Sequence, residues 1–154
     1  MAQTQRRYWD SDAFLGWLKA EPDKVSDCQA VIRVAEAGET EIVTSALTLA
    51  EVLYLRGHQP IPPADAEKLE RFFEHEYIVV NDVDRMLAEE ARKLVWDKGI
   101  RPKDAIHVAT AIDAKVERLE TFDAGLIKHS GAVGNPPLTI DRPYEPPQLF
   151  NGVG

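Results

Sequence analysis

What most constrains this chain is a repeated change of period along its length. Short runs suited to strands, at residues 5–9, 41–44, 77–80, 118–121 and 138–140, alternate with stretches whose apolar residues recur at helical spacing. A helix between two strands carries the chain back before the next strand begins. The pattern therefore reads as α/β, with a central, mostly parallel sheet of about five strands and helices on both faces, in three layers.

Local signals mark the joints. Ser11 or Asp12 can cap a first helix that carries Phe14, Leu15 and Leu18. The run Glu21-Pro22-Asp23 breaks it and starts a second, with Ala30, Val31, Val34 and Ala35 as its apolar stripe and Gly38 at its end. Ser45 or Thr48 can cap the next helix, whose apolar set is Leu49, Val52, Leu53 and Leu55. Residues 57–63 read as a loop by their Gly and Pro content, residues 64–75 as a helix and 77–80 as a buried strand. Asn81 or Asp82 caps a long helix to about Lys98, and Asp84 also looks like a capping acid. Pro102 opens a helix running to about Val116, with Asp104 in its first turn, and 124–129 is a short helix. The first strand is poor in composition, because Arg6 and Arg7 interrupt it. The expected organisation is one domain over residues 1–141 and a Pro-rich tail over 142–154.

Composition excludes several classes. At 154 residues the chain is long enough for one sizeable core. No apolar run approaches the roughly 20 residues of a membrane helix, and no signal-peptide pattern opens the chain, so a cytoplasmic location without membrane contact is the default. Cys28 stands alone, which excludes an intramolecular disulfide and a Cys-rich zinc site. With 26 acidic and 18 basic residues the net charge is -8, which argues against non-specific affinity for nucleic acid or anionic membrane. Any phosphate ligand would need a local basic patch; Arg56, Lys98, Arg101 and Lys103 are candidates, although each is assigned by preference to a solvated face.

The chemistry rests on four acids. Ligands of open parallel sheets bind at the carboxyl ends of the strands. Asp10 follows the first strand, Asp123 follows the fourth, Glu51 lies one to two turns into the helix after the second, and Asp104 opens the helix before the fourth. Carboxylates gathered on one rim repel one another and call for cations between them. An all-oxygen donor set suits Mg²⁺ or Mn²⁺, the ions that assist in-line cleavage of phosphodiesters. Each acid alone also has a structural reading, as a helix cap or surface charge.

The local contexts resemble PIN-domain ribonucleases, most closely the VapC-type toxins of toxin–antitoxin pairs. Asp10-Ser11-Asp12 matches the family's first motif, Ser45, Thr48 and Glu51 its S-x-x-T-x-x-E helix, Asp104 with Ala105, His107, Ala109 and Ala111 its D-A-x-H-x-A-x-A helix start, and Thr121 with Asp123 its T-x-D. The resemblance runs from Tyr8 to about Ile140 and implies a PIN-like fold and a metal-dependent endoribonuclease acting on RNA. It implies Asp10, Asp104 and Asp123 as metal ligands, Glu51 as a ligand directly or through water, and Ser11 and Thr121 as hydroxyl supports. It also implies a homodimer and a cognate antitoxin, whose basic segment would suit an acidic cleft.

Other residues take plainer roles. Asp12 caps the first helix in preference to adding a ligand, and His107 packs with a hydrogen bond to a neighbouring acid in preference to acting as a base. His58, His75 and His129 read as loop or surface residues. Asp113, Glu117 and Glu120 are assigned to a solvated face, and Trp9, Trp17 and Trp96 to core or interface packing. Alternatives are a stand-alone PIN nuclease and a catalytically silent PIN binding module. A haloacid-dehalogenase-type phosphatase using Asp10 and Asp12 is a further rival, but it lacks the Gly-Asp pair that reading needs.

Overall fold

The computed structural model describes residues 4–52, 54–55, 59–60 and 62–144, with side chains at all of these except 54, 55, 59 and 60. The elements in chain order are β1 (Gln5–Trp9), α1 (Ser11–Leu18), α2 (Val25–Glu36), β2 (Thr40–Ser45), α3 (Ala46–Glu51), β3 (Tyr54–Leu55), β4 (Gln59–Pro60), α4 (Pro63–Phe73), β5 (Ile78–Asn81), α5 (Arg85–Lys98), α6 (Pro102–Asp113), β6 (Arg118–Glu120), α7 (Ala124–Ile127) and β7 (Thr139–Asp141). Five strands form one sheet in the order β5-β2-β1-β6-β7, and every pairing in it is parallel.

That order carries the functional consequence. The chain builds outward from β1 through β2 to β5, then crosses over and builds from β6 to β7 on the other side. The direction of winding reverses between β1 and β6, and a crevice opens at the carboxyl ends of strands where such a reversal occurs. Asp10 is the first residue past β1, and Thr121 the first past β6.

Alternation along the strands fills both faces. Tyr8 and Val43 point into one apolar cluster with Leu87, Ala91 and Val108 of α5 and α6. Trp9 and Ile42 point into the other, with Phe14, Val31 and Phe72 of α1, α2 and α4. Trp17 stacks on Phe72 at 4.4 Å between centroids.

Several expectations need correction. The strand with two arginines lies in the middle of the sheet, because Arg7 is neutralised inside the fold. Glu120, assigned to a solvated face, is 0% exposed. Its carboxylate accepts from Arg7 Nη1 at 3.1 Å, Trp9 Nε1 at 2.8 Å, Arg118 Nε at 2.6 Å and the Tyr144 amide at 3.2 Å. Arg7 Nη1 also donates to the Tyr144 carbonyl at 2.9 Å, so the cluster fastens the chain beyond β7 to the sheet. Asp113 and Glu117 are exposed as expected.

Strand β5 is an edge strand with only Ile78 buried, not a buried strand. Asp84, and neither Asn81 nor Asp82, caps α5, accepting from the Leu87 amide at 2.9 Å. Within the stretch expected to be a loop, Gln59–Pro60 pairs antiparallel with Tyr54–Leu55. Helix α6 stops at Asp113, and Lys115 turns the chain with a φ of 58°. Trp96 is 84% exposed and belongs to no core. Leu53, Arg56, His58 and the tail from 145 onward lie outside the described residues.

Candidate active site

Asp10, Ser11, Asp12, Glu51, Arg101, Lys103, Asp104, His107 and Asp123 line one cleft of about 600 Å³ at the switch point. All four acids singled out in the sequence therefore meet there, carried by four separate segments. Thr121, just past β6, is fully buried.

Asp10 is 4% exposed and is itself the N-cap of α1, accepting from the Ala13 amide at 3.0 Å. Asp12 therefore sits in the first turn and is not the cap. Burial pushes the Asp10 carboxyl up to about 7, against the bond it accepts from the Ala13 amide.

Each part of the S-x-x-T-x-x-E segment has a mechanical task. Ser45 caps α3, accepting from the Leu47 amide at 3.1 Å. Thr48 bonds Thr44 at 2.7 Å, and Thr44 donates to the Trp9 carbonyl at 2.7 Å. This chain of hydroxyls fixes α3 against the end of β1 and so sets where its last residue, Glu51, projects. Glu51 Oε1 accepts from Ser11 Oγ at 2.6 Å and is 2.8 Å from His107 Nε2. Burial pushes this carboxyl up, but the bonds from His107 and Ser11 outweigh it, and Glu51 lies below the usual glutamate range.

His107 is buried, with Nδ1 2.6 Å from the Tyr8 hydroxyl. A neutral ring protonated on Nε2 satisfies both contacts: Tyr8 donates to Nδ1, and Nε2–H donates to Glu51. The expected bond to a neighbouring acid is present. Tyr8 was missed as its partner, because a tyrosine within a strand reads simply as core.

The other two acids face each other across Arg101. Asp104, in the first turn of α6, and Asp123, the N-cap of α7, both pair with its guanidinium, at 3.2 and 2.8 Å from Nη2. Burial and the Asp123 charge push the Asp104 carboxyl up, and Arg101 opposes them. Asp123 Oδ1 accepts from the Gly125 amide at 2.8 Å, and its own amide donates to Thr121 Oγ1 at 3.1 Å. With these side chains so engaged, no three His, Cys, Asp or Glu groups among the described residues stand close enough together to hold one metal ion. Of the basic candidates, Arg101 and Lys103 line the cleft. Lys98 borders a separate groove between α5 and α6.

A family model described as the PIN domain matches residues 8–131. No curated protein sequence matches the chain. Among solved structures, the chain is similar to the sarcin-ricin-loop-cleaving toxin VapC20 of Mycobacterium tuberculosis, at TM-score 0.62 and 16% identity over 78% of this chain and 92% of that one. It is similar to a toxin–antitoxin complex from Klebsiella pneumoniae, at TM-score 0.60 and 18% identity over 91% and 99%. It is also similar to VapBC2 from Rickettsia felis, solved bound to a DNA fragment from their promoter, at 0.62 and 18% over 90% and 98%. At such identities the likeness concerns the fold.

Proposed function

The chain belongs to the PIN-domain family, and we propose that it is a metal-dependent endoribonuclease, the toxin of a type II toxin–antitoxin pair. The observation that carries this reading is the meeting of Asp10, Glu51, Asp104 and Asp123 in one cleft at the sheet's switch point.

The donors are all oxygen, which fits Mg²⁺ or Mn²⁺. In this reading Asp10, Asp104 and Asp123 hold the ion and Glu51 joins them directly or through water. When bound, the ion would polarise the scissile phosphate and lower the pKa of a water for in-line attack. The chain's own side chains prepare the site. Ser11 and His107 hold Glu51 ionised and oriented, Thr121 fixes the backbone of Asp123, and Arg101 and Lys103 bring positive charge to the place a phosphate must approach.

A basic antitoxin segment lying across the acidic cleft would be favoured by the net charge of -8. Two of the similar structures contain toxin–antitoxin assemblies, which supports a partner of that kind. A homodimer and a cytoplasmic location belong to the same reading. Among the described residues no helix is long and apolar enough to cross a membrane, and Met86 and Trp96 of α5 offer exposed apolar surface for association. The family match leaves the phosphatase alternative without support. A stand-alone PIN nuclease is distinguished by the absence of a small open reading frame next to this one.

The test is cleavage of RNA by the purified, partner-free protein in Mn²⁺, Mg²⁺ or EDTA, with Asp10→Asn alongside. Cleavage that needs metal and is lost in the variant supports the proposal. A folded wild type that leaves every RNA intact refutes it in favour of a silent binding module.

A further inference from the structure

Arg101 occupies the point where two of the proposed ligands face each other. Its Nη2 is 2.8 Å from Asp123 Oδ2 and 3.2 Å from Asp104 Oδ2, and its Nε is 3.3 Å from the same Asp104 oxygen. One guanidinium thus bridges carboxylates from α6 and from the turn ahead of α7. A cation with that position and charge does for these two acids what a divalent ion would do.

The arginine is poorly placed to keep them. Its side chain is 74% exposed, so its ion pairs are of the screened, weak kind, and holding them orders a long flexible side chain. A divalent ion brings twice the charge without that entropic cost. Once displaced, the guanidinium stays at the site. Arg101 and Asp104 form the shared wall between the acidic cleft and a second recess of about 310 Å³, which Gly99, Lys128 and His129 also line. In a chain of net charge -8, a nucleic-acid strand can be held only where cations gather. Arg101, Lys103 and Lys128 are the arginines and lysines lining these two adjoining hollows.

We infer that Arg101 is an exchangeable cation. It pairs Asp104 and Asp123 in the metal-free protein, yields them to the divalent ion, and then binds a phosphate of the RNA strand as it passes from the acidic cleft into the recess beside Lys128. This rests on the metal-dependent nuclease reading above. It makes the site self-neutralised at rest and couples loading of metal to the appearance of a free phosphate-binding group.

The experiment has two arms that should move in opposite directions. Calorimetric titration of the metal-free protein with MnCl₂ alone compares wild type, Arg101→Gln and Arg101→Lys. Loss of two exposed ion pairs should tighten Mn²⁺ binding in Arg101→Gln by about three- to tenfold. The second arm follows the initial anisotropy change of a labelled random-sequence single-stranded RNA in saturating Mn²⁺. There Arg101→Gln should bind about threefold more weakly or worse, with a salt slope shallower by about 0.7, the loss of one phosphate contact. Arg101→Lys keeps the charge without the fork and should fall between on both arms. A merely structural role would weaken both bindings together, and that outcome overturns the inference. Equal Mn²⁺ affinity in wild type and Arg101→Gln overturns it while the metal reading stands, as does unchanged RNA affinity. Mn²⁺ bound by none of the three proteins removes the metal reading and the inference with it.

Discussion

Asp10→Asn should make the metal-free protein more stable at alkaline pH and leave it nearly unchanged at acid pH. Asp10 is 4% exposed, and burial raises its carboxyl from 3.8 to about 7. The sign follows from proton counting. Between those two values the folded state holds a proton that the unfolded state has released, so stability falls as pH rises. The contribution is fully present below pH 4 and is lost as pH passes through 7. A shift of roughly three units at 1.36 kcal/mol each is worth about 4 kcal/mol, to order of magnitude. Asparagine keeps an oxygen for the Ala13 amide but carries no charge to desolvate. The quantity to read is the stability difference between variant and wild type in EDTA, by urea unfolding from pH 4 to pH 8, where any pH-independent cost of the amide cancels. It should grow by about 2–4 kcal/mol across that range, or roughly 5–15 °C in Tm for a chain of this size. A difference that stays flat, or that shrinks toward pH 8, would refute the claim that Asp10 is a buried, charge-strained group awaiting a cation.

Other expectations follow from the same contacts. Binding of Mn²⁺ to the wild type should release close to one proton near pH 6, read by calorimetry in buffers of different ionisation enthalpy; no release would mean that Asp10 is not a ligand. Glu120→Ala should cost about 3–5 kcal/mol in urea unfolding, because it strands Arg7 inside the sheet; a loss below about 1 kcal/mol would show that solvent reaches the pair. Tyr8→Phe leaves His107 Nδ1 buried without its partner and should cost about 1–3 kcal/mol. It should also slow RNA cleavage by loosening Glu51, and unchanged turnover would separate the Tyr8–His107 pair from the site.

Much of this architecture is legible in the sequence because period and spacing carry it. The alternation of strand and helix runs led to a parallel five-stranded sheet, and acids just past strands led to one cleft. What was not legible depended on partners far apart in the chain. Arg7 looked like a flaw in a strand, and Glu120 like surface charge, until their pairing across 113 positions made both core residues. Asp10 was read as a ligand and its neighbours as caps, but one carboxylate does the capping itself, and local sequence does not separate the two. Arg101 was read as a surface cation. Its reach to Asp123 depends on α6 and α7 starting side by side, a tertiary fact with no local signature.

The central claim is that these carboxylates form a metal centre. Its most direct test is an anomalous difference map from crystals of the partner-free protein grown with Mn²⁺. The account predicts a peak within the cleft, in ligand contact with Asp10, Asp104 and Asp123, with Arg101 swung away from the two aspartates. A map with no peak there at millimolar Mn²⁺, or with a peak only elsewhere, would contradict it.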